Sequence, residues 1–427
     1  MKTKELKALI SEMDGNTQKT LAAVYPDPKA QRERIISAID SFEALFGEDR
    51  EVSLLSVPGR SEILGNHTDH NRGKVLAGAI DRDIIAVVSE NGTNTVNLKS
   101  EGYDKDTVDL SLIDDKNAYP NYSSASLVLG TAKGFSLAGY RIGGFDAYAT
   151  SDVLKGSGIS SSAAFEVMIG NIFSSLYNGG KIENEELAKI AQYAENEYFG
   201  KPCGLMDQMA CAVGGFVYID FEEPTSPIIQ PIAFSLADAG YSLCIVNTGG
   251  NHADLNDDYA SVPAEMKGVA KLLGKEVLRG LSESDIINKA VEIREALGDR
   301  ALLRSLHFVR ENKRVEKAKG ALLTKNTPEF FKTVIASGKS SFEYLQNVYT
   351  TKNVSEQGLS LALALTEGFL EGTDGAFRVH GGGFAGTVQA YIKNELADSY
   401  TELMESVFGV GAVMKLGIRP IGACKLF

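Results

Sequence analysis

Apolar positions recur every three to four residues at the start of the chain and then about every second residue. Leu6, Leu9 and Ile10 have helical spacing, and RERIISAIDSFEALFG has a second apolar face that ends at Gly47. In EVSLLSVPGR the shorter period predicts a strand. GKVLAGAIDRDIIAVVSENG then predicts strand, turn and strand, with Asn91-Gly92 as a hairpin-type turn. The chain therefore begins with helices over residues 1–47 and continues into a sheet.

Helical and strand-like periods remain mixed to the end of the chain, without a regular strand–helix alternation. GFDAYATSDV predicts a strand that leads through a Gly/Ser loop into an apolar helix. NEELAKIAQYAENEYFG and LHFVRENKRVEKAKGALL predict further helices, and FRVHGGGFAGTVQAYI predicts a strand, a glycine loop and another element. This order indicates an α+β protein rather than a doubly wound sheet.

The length of 427 residues exceeds what one hydrophobic core usually reaches, so two domains are expected. Three prolines in EEPTSPIIQPIAF favour a boundary near residue 230. We expect a helical extension over residues 1–30, a first domain over 31–230 and a second domain over 231–427.

Composition and charge restrict the class of partner. The 44% hydrophobic and 23% charged residues are typical of a soluble globular protein, and the formal net charge of −13 argues against nucleic acid or an anionic membrane surface. No apolar leader or membrane-length segment stands out, and the four cysteines form no C-x-x-C pair. We therefore expect a cytoplasmic monomer or weak dimer that acts on a small molecule.

Four short segments carry residues suited to phosphate and sugar chemistry. In KGSGISSSAAFEV, glycines let a ligand approach the backbone, and the serines open a helix whose N-terminus suits phosphate. The loop lacks the G-K-[ST] ending of a P-loop. The other segments are VPGRSEILGNHTDHNRG, AENEYFGKPCGLMDQMACAVGG and HGGGFAGT. Taken singly, each is equally well explained by helix capping, a solvated carboxylate or a tight turn.

The order and spacing of these four segments resemble the galactokinase branch of the GHMP small-molecule kinases, from about residue 36 to near residue 425. The resemblance implies two domains, each with a mixed sheet and helices, and an active site in the cleft between them. It also implies a kinase that uses ATP and Mg²⁺ to phosphorylate the anomeric C1 hydroxyl of galactose or a close relative.

The resemblance also implies roles for single residues. Asp207 matches the catalytic base and Arg60 its cationic partner; a carboxylate can take the proton of a sugar hydroxyl, and an adjacent Arg keeps it ionised. The phosphate-loop positions are Gly156, Gly158, Ser160, Ser161 and Ser162. The Mg²⁺ ligands are Ser162 and Glu195. The sugar-binding positions are His67, Asp69, Gly204 and Tyr259, together with Asn66, and the Gly381–Gly383 loop matches the third family motif.

Two residues of the Gly65–His70 segment differ from the family's usual G-E-H-T-D-Y. Asn66 replaces the Glu that contacts the sugar's C6 hydroxyl, and His70 replaces Tyr; the changes remove a negative charge and add donors and a group that can become cationic. Plant galacturonokinases resemble this pattern, so a uronic acid or another C6-modified sugar is an alternative acceptor to galactose. Glu62 stands where galactokinases usually have Asn, and it weakens that alternative if its side chain faces the pocket.

A catalytically silent sugar or ATP sensor is a minor alternative. The known regulatory relatives of galactokinases have lost a Ser-Ala pair from the serine-rich loop. Here the SSSAA stretch is intact, as are Arg60 and Asp207, which favours an enzyme.

Overall fold

Helices and strands are mixed throughout the computed structural model, which describes residues 1–153, 158–201, 203–250 and 255–427. The described helices are α1 Thr3–Glu12, α2 Gly15–Ala22, α3 Arg32–Phe46, α4 Ser124–Leu137, α5 Ser161–Tyr177, α6 Asn184–Ala194, α7 Met206–Val213, α8 Asn256–Leu272, α9 Glu283–Ile287, α10 Ala290–Leu297, α11 Asp299–Leu323, α12 Thr327–Ser340, α13 Gly358–Phe369 and α14 Ala397–Phe408. The described strands are β1 Ser53–Leu64, β2 Lys74–Glu90, β3 Thr95–Ser100, β4 Lys105–Asp109, β5 Phe145–Ser151, β6 Phe216–Asp220, β7 Ile228–Ile232, β8 Tyr241–Asn247, β9 Ala376–His380, β10 Thr387–Lys393, β11 Val413–Leu416 and β12 Cys424–Lys425. The predicted α+β class is confirmed.

The chain forms two compact units, each built from separate stretches of sequence. Unit 1 comprises Met1–Arg60, Ala79–Gly215 and Arg419–Phe427, and unit 2 comprises Ser61–Gly78 and Phe216–Ile418. Both are discontinuous because β1 and β2 contribute residues to each of them. The three continuous segments expected from the sequence differ from these units, so the division at residues 30 and 230 stays a prediction about domains.

Unit 1 is built on a sheet with the order β12-β1-β2-β5-β3-β4. Helices α1 to α3 bury apolar side chains, among them Leu6, Ile10 and Phe42, in one cluster with Leu54 and Val87 of the sheet. The N-terminal extension is thus part of the core of this unit. Helices α4 to α7 form a second helical group, in which Phe135 of α4 and Phe173 of α5 have ring centroids 5.4 Å apart.

The predicted strand–turn–strand over residues 73–92 is wrong, because β2 continues without a break from Lys74 to Glu90. The charged residue in its centre, Asp83, does not form a turn. Its carboxylate is fully buried and accepts hydrogen bonds from Arg34 Nη1 at 2.7 Å and Arg419 Nη1 at 3.0 Å. Asn91-Gly92 turns the chain but forms no β2–β3 hairpin, since both strands pair with β5.

Unit 2 contains the antiparallel sheet β11-β8-β10-β9. The HGGGFAGT segment is the connection between β9 and β10, which pair from His380 opposite Thr387. In the same unit the beginning of β2 pairs with β6, and β6 pairs with β7. Apolar residues of α8, α10 and α11 pack into one cluster that includes Met266, Ile293 and Phe308. Across the described residues, no helix combines the length and apolar character needed to cross a membrane.

Candidate active site

Arg60 and Asp207 form a two-point ion pair in unit 1. Arg60 Nε donates to Asp207 Oδ1 and Nη2 donates to Oδ2, both at 2.7 Å, while Nη1 donates to the Gly158 carbonyl oxygen at 2.7 Å. The Asp207 side chain lies in the first turn of α7 and is 32% exposed. The guanidinium is therefore fixed on three sides, and the carboxylate remains accessible to a ligand.

Ser160 makes a further contact to the same carboxylate. Its hydroxyl donates to Asp207 Oδ2 at 2.5 Å. Burial alone would raise the pKa of Asp207, but the charge and hydrogen bonds of Arg60, with the hydrogen bond from Ser160, hold that pKa below its ordinary value. Asp207 is therefore ionised at neutral pH and able to accept a proton.

The serine-rich segment forms the N-terminus of α5. Ser160 is the N-cap residue, with the left-handed φ of 59°, and Ser161 and Ser162 are the first two helical residues and partly exposed. Gly158 also has a positive φ, 75°. The first N–H groups of a helix lack partners within the helix and attract anions, so this end of α5 suits a phosphate group. The predicted phosphate-loop residue Gly156 lies outside the described residues.

Glu195 begins a π-helical turn, Glu195–Phe199, and is nearly fully buried. Lys201 Nζ donates to its Oε1 at 3.0 Å, and Gln208 Nε2 donates to its Oε2 at 2.7 Å. Gln208 Nε2 also contacts Glu166 Oε2 at 3.0 Å, and Glu166 Oε1 has no hydrogen-bond partner in the part of the chain that the structure describes. Burial, and to a smaller extent the charge of Glu195, raises the pKa of Glu166 well above its ordinary value. These are hard oxygen atoms of the kind that Mg²⁺ prefers. Both Glu195 oxygens are engaged by Lys201 and Gln208, and the described His, Cys, Asp and Glu residues form no group of three that could hold a metal ion.

Asn66 in unit 2 is enclosed by protein and is 0% exposed. Its Nδ2 donates to Glu62 Oε1 at 2.9 Å and to the Gly381 carbonyl oxygen at 2.7 Å. Its Oδ1 accepts from Asn347 Nδ2 at 2.7 Å. Both amide N–H groups are used within the protein, so this geometry does not offer them to a sugar. The predicted contact between Asn66 and a substrate stays a prediction, and the structure favours an indirect role.

Helix α11 supports the loop that carries Asn66. His307 Nε2 donates to the Asn66 carbonyl oxygen at 3.0 Å, and Glu311 Oε1 accepts from the Gly65 N–H at 3.1 Å. Both side chains are fully buried. The sequence does not single them out, because a His and a Glu one turn apart on a strongly patterned helix are usually part of its polar face.

His67 and Tyr259 both contact the glycine loop between β9 and β10. His67 Nε2 donates to the Gly382 carbonyl oxygen at 2.9 Å, and the Tyr259 hydroxyl donates to that of Gly383 at 2.8 Å. A Cβ on Gly382 would lie 2.6 Å from Tyr259 Cε1, so the close approach requires glycine. Burial lowers the pKa of His67 despite its bond to Gly382 and the nearby Asp69 charge, which favours the neutral ring.

Three predicted positions are partly or fully open to solvent. Asp69 begins a short 3₁₀ turn, and its Oδ1 lies 3.7 Å from His70 Nε2. His70 is about half exposed. Gly204 is exposed and precedes α7.

The structure thus brings Arg60, Gly158, Ser160 and Asp207 together in unit 1, and joins Asn66, His67 and Tyr259 through the glycine loop in unit 2. Two further residues of unit 2 were missed. Arg378 of β9 is fully buried, donates to the Ile63 carbonyl oxygen at 3.1 Å and approaches Glu62 Oε1 to 3.6 Å. The sequence could have indicated Arg378, because a charged residue in an apolar strand that leads into a glycine loop often has a functional or structural partner. Asn347, which contacts Asn66 and Gly382, gave none.

Known proteins match this chain in sequence and in structure. Residues 123–215 match a family model described as the GHMP kinases N terminal domain, and residues 40–90 match the galactokinase galactose-binding signature. A galactokinase from Streptomyces coelicolor is 32% identical, covering 88% of this chain and 93% of the relative. A galactokinase from Clostridium tetani is 30% identical, covering 84% and 88%.

Among solved structures, Lactococcus lactis galactokinase complexed with galactose aligns over 92% of this chain and 100% of its own, with a TM-score of 0.76 and 23% identity. A mevalonate kinase aligns over 86% of this chain and 98% of its own, with a TM-score of 0.60 and 14% identity. These two structural similarities concern the fold.

Proposed function

Since the chain belongs to the galactokinase family of GHMP kinases and is a phosphotransferase with an alcohol group as acceptor, we propose that it transfers the γ-phosphoryl group of ATP to the C1 hydroxyl of galactose. The names of the curated relatives and the fold shared with a galactose-bound galactokinase support this acceptor. The alternative of a silent sensor is not supported by the intact Arg60–Asp207 pair.

The single observation that carries the proposal is the accessible, ionised Asp207 carboxylate held by Arg60 and Ser160. In the proposed reaction Asp207 accepts the proton of the C1 hydroxyl while the C1 oxygen forms a bond to the γ-phosphorus. The bond between that phosphorus and the β–γ bridging oxygen breaks, and ADP leaves. Arg60 holds the carboxylate in place and offsets negative charge on the transferring group.

We assign the ATP phosphates to the N-terminus of α5. Its free N–H groups and the residues Gly158, Ser160, Ser161 and Ser162 supply donors for phosphate oxygens. Ser162 and Glu195 would hold Mg²⁺, which neutralises phosphate charge when it is bound. Lys201 keeps the Glu195 carboxylate in its place through the 3.0 Å contact to Oε1.

We assign the acceptor sugar to His67, Asp69, Gly204 and Tyr259. Asp69 and Tyr259 offer polar groups that pair with ring hydroxyls, and His67 is fixed by Gly382. Asn66 has an indirect role: its amide N–H groups donate to Glu62 and to the Gly381 carbonyl oxygen, so they hold the glycine loop rather than the sugar. The uronate alternative rested on the lost negative charge and the two added donors of Asn66 and on His70; the internal use of both donors removes one of these supports.

A turnover panel with purified protein, ATP and Mg²⁺ tests the proposal. Galactose is expected to be phosphorylated with a higher kcat/KM than galacturonate. Equal or faster turnover of galacturonate would overturn galactose as the acceptor, and no turnover of any sugar would favour the sensor.

A further inference from the structure

Strands β2 and β5 of unit 1 are antiparallel, and one end of this pair leads towards the serine-rich segment. Ile84 pairs with Ser151 at that end, and Glu90 pairs with Phe145 at the other. The chain leaves β5 at Ser151, and the next helix is α5, to whose N-terminus the ATP phosphates are assigned. Strands rise about 3.4 Å per residue, so the two ends of the pair lie roughly 20 Å apart. Only the Ser151 end is therefore close in the chain to the phosphate site.

Arg34 of α3 holds the Ser151 end of the strand pair. Its Nη1 donates to Asp83 Oδ1 at 2.7 Å, and its Nη2 donates to the carbonyl oxygens of Asp83 at 2.8 Å and Thr150 at 3.2 Å. Nη1 also lies 3.0 Å from Asp152 Oδ2. The Asp152 N–H in turn donates to the Asp83 carbonyl oxygen at 2.9 Å. One guanidinium thus joins β2, β5 and the first residue after β5.

Val153 connects this arrangement to the start of α5 by packing. Its side chain is buried beside Gly59, where an added Cβ would lie 3.0 Å from Val153 Cγ1 and 2.7 Å from the Ile159 carbonyl oxygen. That carbonyl oxygen accepts the N–H of Arg60 at 3.1 Å, and Ile159 directly precedes Ser160, the N-cap residue of α5. Close-packed interiors transmit strain. A displacement of Val153 would therefore reach the residues that precede Arg60 and Ser160.

Asp83, the main partner of Arg34, is itself held from several directions. Its Oδ2 accepts hydrogen bonds from the Tyr25 hydroxyl at 2.6 Å, from Arg419 Nη1 at 3.0 Å and from the Ser56 hydroxyl. Arg34 is thus anchored to a fixed and fully buried carboxylate. Since Tyr25 belongs to the N-terminal extension, this extension takes part in holding Arg34 as well as in the core of unit 1.

We propose that Arg34 is a positioning residue for phosphoryl transfer: it fixes the end of β5 so that the residues at the N-terminus of α5 are aligned for ATP. The inference rests on the proposed assignment of the ATP phosphates to α5. Arg34 acts through Asp152 and Val153 rather than by contact with ATP. The planar guanidinium is required because its fork reaches both strands and Asp152 at once, whereas a lysine ammonium keeps the charge without that geometry.

Binding of the non-hydrolysable ATP analogue AMP-PNP with Mg²⁺, measured by isothermal titration calorimetry, tests the inference. In Arg34→Lys the Kd is expected to rise at least about tenfold, while the KM for galactose at saturating ATP stays within about twofold of the wild type. A purely structural role would lower the fraction of folded protein, and hence the number of binding sites, without changing the Kd. A Kd equal to that of the wild type would overturn the role of Arg34 and leave the proposed function standing.

Arg50→Lys is the matched control, because Arg50 holds the other end of the same strand pair. Its Nη2 donates to the Glu90 carbonyl oxygen at 3.1 Å and to Asp146 Oδ2 at 3.2 Å. The Kd of this variant is expected to stay within about twofold of the wild type, since the change lies far from α5. A rise as large as in Arg34→Lys would assign the effect to general loosening of the strands and overturn the inference. A wild type that binds no AMP-PNP would overturn the inference and the proposed function together.

Asp152→Ala gives a second test that does not depend on the folding of Arg34→Lys, since the Asp152 side chain is 40% exposed. Removal of a negative charge near bound phosphates would by itself strengthen ATP binding. We expect the opposite, a Kd at least about threefold higher, because the contact between Arg34 and the chain after β5 is lost. In the double variant with Arg34→Lys the two effects are expected to be less than additive. A Kd in Asp152→Ala at or below that of the wild type would contradict the positioning role.

Discussion

Asp207 receives hydrogen bonds from Arg60 Nε, Arg60 Nη2 and the Ser160 hydroxyl, so its carboxylate is both ionised and fixed in direction. Asp207→Asn keeps the size of the side chain but removes its capacity to accept a proton. We expect kcat to fall by about 10²–10⁴-fold, with KM for ATP and galactose little changed. A coupled ADP-release assay measures this, with thermal unfolding as the check on folding. A kcat within a few-fold of the wild type would exclude Asp207 as the base.

His307 and Glu311 make the stability of unit 2 depend on pH. Burial lowers the pKa of His307 from 6.5 to about 4. Burial alone would raise the pKa of Glu311, but Arg314 and His307 lower it to about 2. The unfolded chain therefore binds more protons than the folded one below pH 6.5. The contribution of His307 to the free energy of unfolding is complete above pH 6.5 and is lost as the pH falls towards 4. The contribution of Glu311 is lost at lower pH, between its ordinary pKa of 4.5 and about 2.

His307→Gln is expected to lower the free energy of unfolding at pH 7, because a buried hydrogen bond to Asn66 is replaced imperfectly. It should also flatten the pH dependence between 6.5 and 4, since the titrating group is gone. Urea unfolding at pH 7, 6 and 5 measures both effects. If the free energy of unfolding falls equally with pH in the wild type and in the variant, the pH dependence belongs to other groups.

The sequence predicted Arg60 and Asp207 as partners although they lie 147 positions apart, because the family resemblance supplied their pairing. It did not predict that Asn66 is enclosed. The direction of that amide depends on Glu62, Asn347 and Gly381, and only tertiary packing decides which of several polar neighbours it meets. The facing of Glu62 was likewise open in the sequence and is defined by its contact with Asn66.

At the scale of elements, apolar periodicity predicted α1, α3, α5, α6 and α11, and α5 begins where the serines predicted its N-terminus. The error in β2 has a tertiary cause. A charged residue inside an apolar run usually marks a turn, but Asp83 is compensated by Arg34 and Arg419, which come from distant parts of the chain. No local pattern contains that information.

Ser162 is a partly exposed residue in the first turn of α5, where we propose that its hydroxyl serves as a ligand to Mg²⁺. In Ser162→Ala we expect the Mg²⁺ concentration for half-maximal activity to rise about tenfold, since one hard oxygen is lost. Ser175→Ala on the same helix is the control and should leave it unchanged. A magnesium titration at saturating ATP and galactose distinguishes the two. Equal behaviour of the two variants would argue against Ser162 as a ligand.

At the scale of the whole molecule, the N-terminal extension shares its core with the sheet of unit 1. Leu6 is fully buried in that core, whereas Leu45 is about half exposed. Leu6→Ala is expected to lower the free energy of unfolding by about 2–5 kcal/mol, and Leu45→Ala by less than about 0.5 kcal/mol. Chemical denaturation checks both. A similar small loss in the two variants would show that the extension is not part of the folded core.

The fold class and the family were predictable because the motifs and the mixed periodicity extend over nearly the whole chain. The two discontinuous units were not predictable from the sequence. The boundaries between them fall inside β1 and β2, where the composition of the chain does not change. Ser61–Gly78 belongs to unit 2 although the sequence around it belongs to unit 1. This is also the stretch that carries Asn66, His67 and Asp69.

The identity of the product is the decisive test of phosphoryl transfer from ATP to the C1 hydroxyl of galactose. Purified protein is incubated with galactose, ATP and Mg²⁺, and the sugar phosphate is analysed by phosphorus–proton NMR correlation. We expect the new phosphorus signal to couple to the anomeric proton, and this product to be lost in Asp207→Asn. Coupling to the C6 protons, or no sugar phosphate at all, would contradict it.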